Sequence, residues 1–296
     1  MRELDELFDA QGGVATTGQL RRFLTRRGLE ARANAGDLVK VWSGIYGAGD
    51  MELDDLMRLR GLDLRAGVAV PICLATAARA YGFDTEDVTD LHVLNPPAGQ
   101  LRCADGLFVH RRDGAPLTVV EGRPATAPAW TAVEVARGLR RPRALATLDA
   151  ALRSATCDRR GLHAAAVAQV GRRGIVAVRD LIPLAAAEAE SPMESEARLV
   201  MIDGGLPSPV LQYEVVDRSG QLWRLDFAWP DRRVALEYDG FDFHSSPEEL
   251  RRDRQKRAAL HDLGWVVLAI VADDVRRRQW DLVARIGMEL GRAVAA

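Results

Sequence analysis

The chain has 296 residues, of which 48% are hydrophobic, 6% aromatic and 28% charged, a balance that excludes a disordered or fibrous protein and implies aliphatic cores spread over more than one domain. A formal net charge of −2 excludes a uniformly basic nucleic-acid binder, yet arginines gather at 21–32, 137–143, 172–173, 251–257 and 276–278, and local patches govern phosphate contact more than the overall sum. No run approaches the roughly 20 apolar residues of a membrane span, the N-terminus lacks an apolar signal core, and Cys73, Cys103 and Cys157 have no paired spacing. A soluble, cytoplasmic protein with reduced thiols and no membrane partner is expected.

Residues 1–50 read as a small helical module. Leu4, Leu7 and Phe8 have helical spacing, and Gly12–Gly13 ends that helix. Thr16 or Thr17 can cap a second helix carrying Leu20 and Phe23. Thr25 can cap a third over 26–35, which Gly36 stops. Leu38, Val39 and Val41, a turn at Ser43–Gly44, and Ile45–Tyr46 read as a two-stranded ribbon. Three short helices followed by a ribbon describe a winged helix-turn-helix. Its third helix presents Arg27, Glu30 and Asn34 on one face, and arginine and asparagine are side chains that read guanine and adenine edges. Arg26, Arg27, Arg32, Asn34 and Lys40 are the candidate DNA contacts, with the ribbon near Trp42–Tyr46 close to the phosphates.

Residues 51–185 form a connector of α/β type. Segments 71–82, 129–139, 143–155 and 161–171 are Ala-rich and helical, while LHVLNPP (91–97) and LFVHRR (107–112) are strand-like. No catalytic signature stands out there.

Residues 186–296 carry a sharper pattern. A helix starts at Pro192 after Ser191 and carries Glu194. LQYEVVD (211–217) and QLWRLDFAW (221–229) flank a turn at Arg218–Ser219–Gly220, and VALEYDG (234–240) is a third strand. A helix from Ser246–Pro247 runs to about Leu263, WVVLAIV (265–271) reads as a buried strand, and a last helix covers 275–291. The predicted order is α-β-β-β-α-β-α around a mixed sheet.

Asp226 and Glu237 lie inside apolar strands, where an unpaired carboxylate is costly unless it is paired or holds a cation. Two strand carboxylates plus Glu194 from a packed helix suit Mg²⁺ or Mn²⁺, which take oxygen ligands and keep several waters. Pairing with Arg224 or Arg257 is the structural alternative. The segments ESEAR, LDFAW, LEYDG with a histidine beyond, and DRQKRAALHDLGW resemble the PD-(D/E)xK nuclease superfamily. Over about 188–285 they resemble more closely the bacterial family related to very-short-patch repair endonucleases. That resemblance implies a restriction-endonuclease-like fold with Asp226 as central metal ligand, Glu237 as the second and Glu194 as the helix-borne acid. Asp239 occupies the slot of the superfamily's lysine. His244, as acid or base, and Lys256, as substitute cation, complete the candidate catalytic set.

The stretch GGVATTGQLRRFLTRRGLEARANAGDLVKVWSGIYG resembles the N-terminal winged-helix domain of AbiEi-type antitoxins of type IV toxin–antitoxin systems. CLATAARAYGF, LHVLNPP and ATAPAWTAVEVA resemble the domain that follows in those proteins. The second resemblance implies promoter binding, autorepression and a cognate toxin. The expected architecture is therefore a winged helix (1–50), a connector (51–185) and an endonuclease-like domain (186–296). The expected function is Mg²⁺-dependent cutting of DNA, with a non-catalytic autorepressor or antitoxin as the alternative.

Overall fold

In the computed structural model, which describes residues 2–49, 51–97, 100–240 and 247–295, the chain is a mixed α/β protein with several sheets. It divides into two units, Met1–Ala80 with Glu86–Ala127, and Tyr81–Thr85 with Pro128–Ala296.

The first unit opens with α1 (Arg2–Ala10), β1 (Val14–Thr16), α2 (Thr17–Leu20), α3 (Arg26–Ala35), β2 (Leu38–Trp42) and β3 (Ile45–Ala48). Side-chain caps set the helix boundaries. Thr16 Oγ1 accepts the Gln19 N–H at 3.1 Å while Gln19 Oε1 accepts the Thr16 N–H at 2.8 Å, a reciprocal box that starts α2. Thr25 Oγ1 accepts the Gly28 N–H at 3.1 Å and starts α3, and Gly36, at φ 85°, ends it in a left-handed turn. Leu4, Phe8, Ala15, Leu20, Leu29 and Leu38 close one core. The ribbon predicted from sequence gains a third strand: the antiparallel order is β1-β3-β2, with Ala15 opposite Tyr46. Three residues between Gly13 and a helix cap are too few to show a strand period.

Next come α4 (Asp55–Ala66), α5 (Leu74–Ala80), the parallel pair β4 (Leu91–Leu94) and β5 (Leu107–His110), and the hairpin β6 (Leu117–Val120) and β7 (Arg123–Thr126). α4 lies against the three-stranded sheet through Gly61, whose absent side chain lets Trp42 approach to within 3.0 Å of the Cβ position. Ile72 bridges Val93 on one side and Ala125 on the other, joining the two ribbons.

The second unit holds α6 (Pro128–Ala136), α7 (Arg141–Arg153), α8 (Arg159–Ala168) and α9 (Ile175–Leu181). They are followed by α10 (Pro192–Asp203), β8 (Val210–Val216), β9 (Leu222–Trp229), β10 (Val234–Tyr238), α11 (Pro247–Asp262), β11 (Val266–Ile270), α12 (Ala272–Arg276) and α13 (Gln279–Ala295). The sheet order is β11-β10-β9-β8, antiparallel except for the parallel pair β10–β11. Val234 and Leu236 pack with Ala197, Val200 and Met201 of α10 and with Leu282 and Ile286 of α13. Ala235, between them in the strand, packs on the other face with Leu260 of α11 and Trp265.

Two expectations are corrected here. WVVLAIV is not a buried strand: among the described residues β11 is an edge paired with β10 alone, and Val266 is 42% exposed. The last helix is broken into α12 and α13 at Arg277–Arg278, where the Asp273 carbonyl accepts the N–H of both arginines and its carboxylate pairs with their side chains.

α10 is buried on two sides. Its apolar residues meet the sheet, and its charges meet α7. Arg198 Nη2 donates to both carboxylate oxygens of Asp149, at 2.7 and 3.0 Å, and Asp149, fully buried, also accepts the Ala186 N–H at 2.8 Å. Glu196 accepts from Arg143 at 3.1 Å and from Arg276 at 2.9 and 3.0 Å.

Candidate functional site

Strand register places the two sheet acids side by side. Leu236 pairs with Phe227, so the next step of the antiparallel ladder sets Glu237 opposite Asp226, and residues opposite one another share a face. Glu237 alternates with Leu236 and so points to the α11 side. There Lys256 of α11 forms an ion pair with it and donates a second hydrogen bond to the Arg224 carbonyl at 2.6 Å. Asp226 Oδ2 accepts the Tyr238 N–H at 2.9 Å, which ties the two strands together at the acids. Arg224 is spent on Glu190 at 2.6 Å, and Arg257 on Asp253 at 3.1 Å, so neither neutralises the acid pair directly.

Glu194 arrives from the first turn of α10, started by Ser191, whose Oγ accepts the Glu194 N–H at 3.2 Å. Its Oε2 accepts the Glu190 N–H at 3.0 Å and an N–H of the Gln212 amide at 2.9 Å. Sequence reasoning missed Gln212. It lies in β8 opposite Asp226, between the pairs Leu211–Phe227 and Tyr213–Leu225, and has φ 47°. The pleat changes sides at this row: Leu211 and Phe227 pack toward α10, whereas Tyr213 and Leu225 pack toward α11. A non-glycine residue with left-handed backbone inside a strand is costly, and such strain gathers at functional sites. Nothing in LQYEVVD marks it, because the hydrophobic pattern gives no information about φ.

Burial pushes the carboxyls of Glu194, Asp226 and Glu237 above their ordinary range. Hydrogen bonds from the Glu190 backbone, Ser191 and Gln212 counter this at Glu194, and Asp226 adds to it. The Tyr238 N–H counters it at Asp226, followed by the charges of Lys256 and Arg224. Lys256 counters it at Glu237, while Asp226 adds to it. Among the described residues no three His, Cys, Asp or Glu side chains form a group able to hold one metal ion. The donor chemistry of the Asp226–Glu237 pair nevertheless fits a hard divalent cation, which takes one or two carboxylates and retains its waters. Asp239 is exposed just past the end of β10, its N–H donated to the Ile270 carbonyl at 2.8 Å. The local cation of the acid pair comes instead from Lys256. His244 lies outside the described residues.

At the other candidate site, Arg27, Asn34 and Lys40 are exposed. Arg26 is exposed but pairs with Glu30 at 3.0 Å, and Arg32 is half-buried. Trp42 does not reach outward: its indole is 8% exposed, donates to the Arg58 carbonyl at 2.8 Å and stacks under the Arg58 guanidinium. Ser43 and Gly44 form the exposed tip of the ribbon. Among the described residues no helix is long and apolar enough to cross a membrane.

Residues 70–184, from just before α5 to just past α9, match the AbiEi antitoxin C-terminal domain, the part of the chain where CLATAARAYGF, LHVLNPP and ATAPAWTAVEVA carry the resemblance. Two uncharacterized proteins of Mycobacterium tuberculosis, from strains CDC 1551 / Oshkosh and ATCC 25618 / H37Rv, are each 54% identical over 270 residues, covering 91% of this chain and 98% of the relative. The chain belongs to the family of these mycobacterial proteins.

Proposed function

We propose that the chain is a DNA-binding regulator of the AbiEi antitoxin type, acting beside a cognate toxin. The observation that carries this reading is the AbiEi match over 70–184, which follows, after α4, an N-terminal module with the element order of a winged helix-turn-helix. In this reading α3 enters the major groove, Arg27 and Asn34 read base edges, and Lys40 meets phosphate. Fluorescence anisotropy with the duplex upstream of the protein's own gene tests it. Affinity is expected to fall steeply with salt, and Arg27→Ala to weaken binding by roughly 1–3 kcal/mol on the specific duplex. Equal affinity for an unrelated duplex, or no effect of Arg27→Ala, refutes it.

A second reading is favoured by one observation, the placement of Asp226, Glu237 and Lys256 against one another across β9, β10 and α11. In it the second unit includes a restriction-endonuclease-like domain that hydrolyses phosphodiester bonds. Asp226 and Glu237 would hold Mg²⁺ or Mn²⁺, with Glu194 assisting through Gln212. Such an ion, when bound, supplies charge neutralisation at a phosphate and an acidified water. Lys256 would bring its ammonium to the phosphate, which Asp239 cannot do, and His244 would handle a proton. Plasmid nicking with either metal, wild type against Asp226→Ala, tests this reading. Equal cutting by both proteins removes the site, and no cutting of any duplex or single strand leaves the regulator reading alone.

A further inference from the structure

α13 presents an unusual outer face. Trp280 is 86% exposed and Met288 56% exposed. Ala284 and Gly291 are exposed between and beyond them, and a Cβ on Gly291 would meet nothing within 4 Å. At 100° per residue these four positions fall within about one quarter of the helix circumference, opposite the buried Leu282, Ile286 and Leu290. Asp281 and Arg292, both exposed, lie together on one flank of that stripe, where Arg292, though paired with Glu289 on its own helix, keeps most of its side chain in solvent. An indole standing almost wholly in water on a well-packed helix is the kind of side chain that anchors an interface.

The spacing identifies what covers it. Turn a second α13 antiparallel about a two-fold axis near Ile286, and each large residue meets a small one. Trp280 faces the partner's Gly291, and Met288 faces the partner's Ala284. An antiparallel pair also brings like flanks together at opposite ends, so Asp281 meets the partner's Arg292, twice. A parallel pair would instead set Trp280 on Trp280 and carry the two Asp281–Arg292 flanks to opposite sides of the seam, where no charges pair. We infer that α13 is a self-association surface through which two copies of this chain pair antiparallel. The helix is about 25 Å long, and its face is smaller than the ~800 Å² per partner of a standard interface, so dissociation in the micromolar range is expected.

Sedimentation velocity of the full chain, over about 1 to 200 μM, tests the proposal. The wild type is expected to pass from monomer to dimer across that range. Trp280→Ala is expected to raise the dissociation constant at least about tenfold. Gly291→Glu fills space that is open in the single chain, so its thermal midpoint should stay near that of the wild type while the dimer is lost. Asp281→Arg and Arg292→Asp should each weaken the dimer, and the double reversal should restore it. A wild type that remains monomeric throughout overturns the inference. So does a dimer indifferent to Trp280→Ala, or a double reversal no better than either single one.

Discussion

Asp149→Ala isolates the contact on which α10 depends most. The aspartate is fully buried in α7, and the substitution leaves Arg198, 7% exposed, with its charge intact and its Nη2 without either Asp149 oxygen. It also strips the Ala186 N–H of its acceptor. Breaking a buried ion pair by removing one partner costs about 3–5 kcal/mol, most of it the desolvation of the charge left behind. Arg198 keeps one other acceptor, the Leu184 carbonyl, so a loss of about 4 kcal/mol is expected for Asp149→Ala rather than the top of that range. For a unit of this size that is a fall in thermal midpoint of roughly 8–16 °C. Asp149→Asn keeps the acceptor and should lose about half as much. The double variant Asp149→Leu with Arg198→Met should recover at least about 2 kcal/mol of the single loss, since no charge is then stranded. Urea titration followed by far-ultraviolet circular dichroism reads all three. An Asp149→Ala protein within about 1 kcal/mol of wild type, or a double variant worse than the single, would refute the reasoning.

Three further outcomes are expected. Glu194 holds its proton more tightly folded than unfolded because of burial, so wild-type stability is eroded as pH rises through the range between its ordinary and raised values. Glu194→Gln keeps an acceptor for the Glu190 and Gln212 N–H groups and should gain on wild type with rising pH; a wild type that gains instead contradicts the assignment. Lys256→Met leaves Glu237 buried without its cation, and the deficit against wild type, about 2 kcal/mol near neutrality, should shrink as pH falls and Glu237 protonates. A deficit that is constant with pH would show that the ammonium does not act on Glu237. Gly174→Ala should cost more than about 2 kcal/mol in denaturant titration, because Gly174 has φ 83° and a Cβ there lies 2.2 Å from the Arg137 carbonyl oxygen; a neutral result would mean the backbone relaxes freely.

What the sequence revealed follows from which interactions are local. Thr16, Thr25 and Ser191 satisfy N–H groups three residues on, so the starts of their helices were readable, but the second helix ends at Leu20 and leaves Phe23, expected inside it, in an exposed turn. Asp226 and Glu237 announced themselves as charges inside apolar strands. Their common face was not readable, because it rests on a register that only the folded sheet fixes. The reach of Lys256 to Glu237 crosses a helix–sheet interface, and spacing alone left it as one option beside His244. In ESEAR the first glutamate drew attention, yet Glu196 and Arg198 are also buried, and their partners Arg143 and Asp149 lie some fifty residues away. β11 misled because an apolar run does not distinguish a central strand from an edge.

Glu194, Glu196 and Arg198 occupy little more than one turn of α10, and this has a mechanical consequence. One end of that turn grips α7, within the stretch that matches the antitoxin domain; the other end aims a carboxylate at the strand acids. A helical turn is stiff, so whatever pushes α7 aside drags that carboxylate with it.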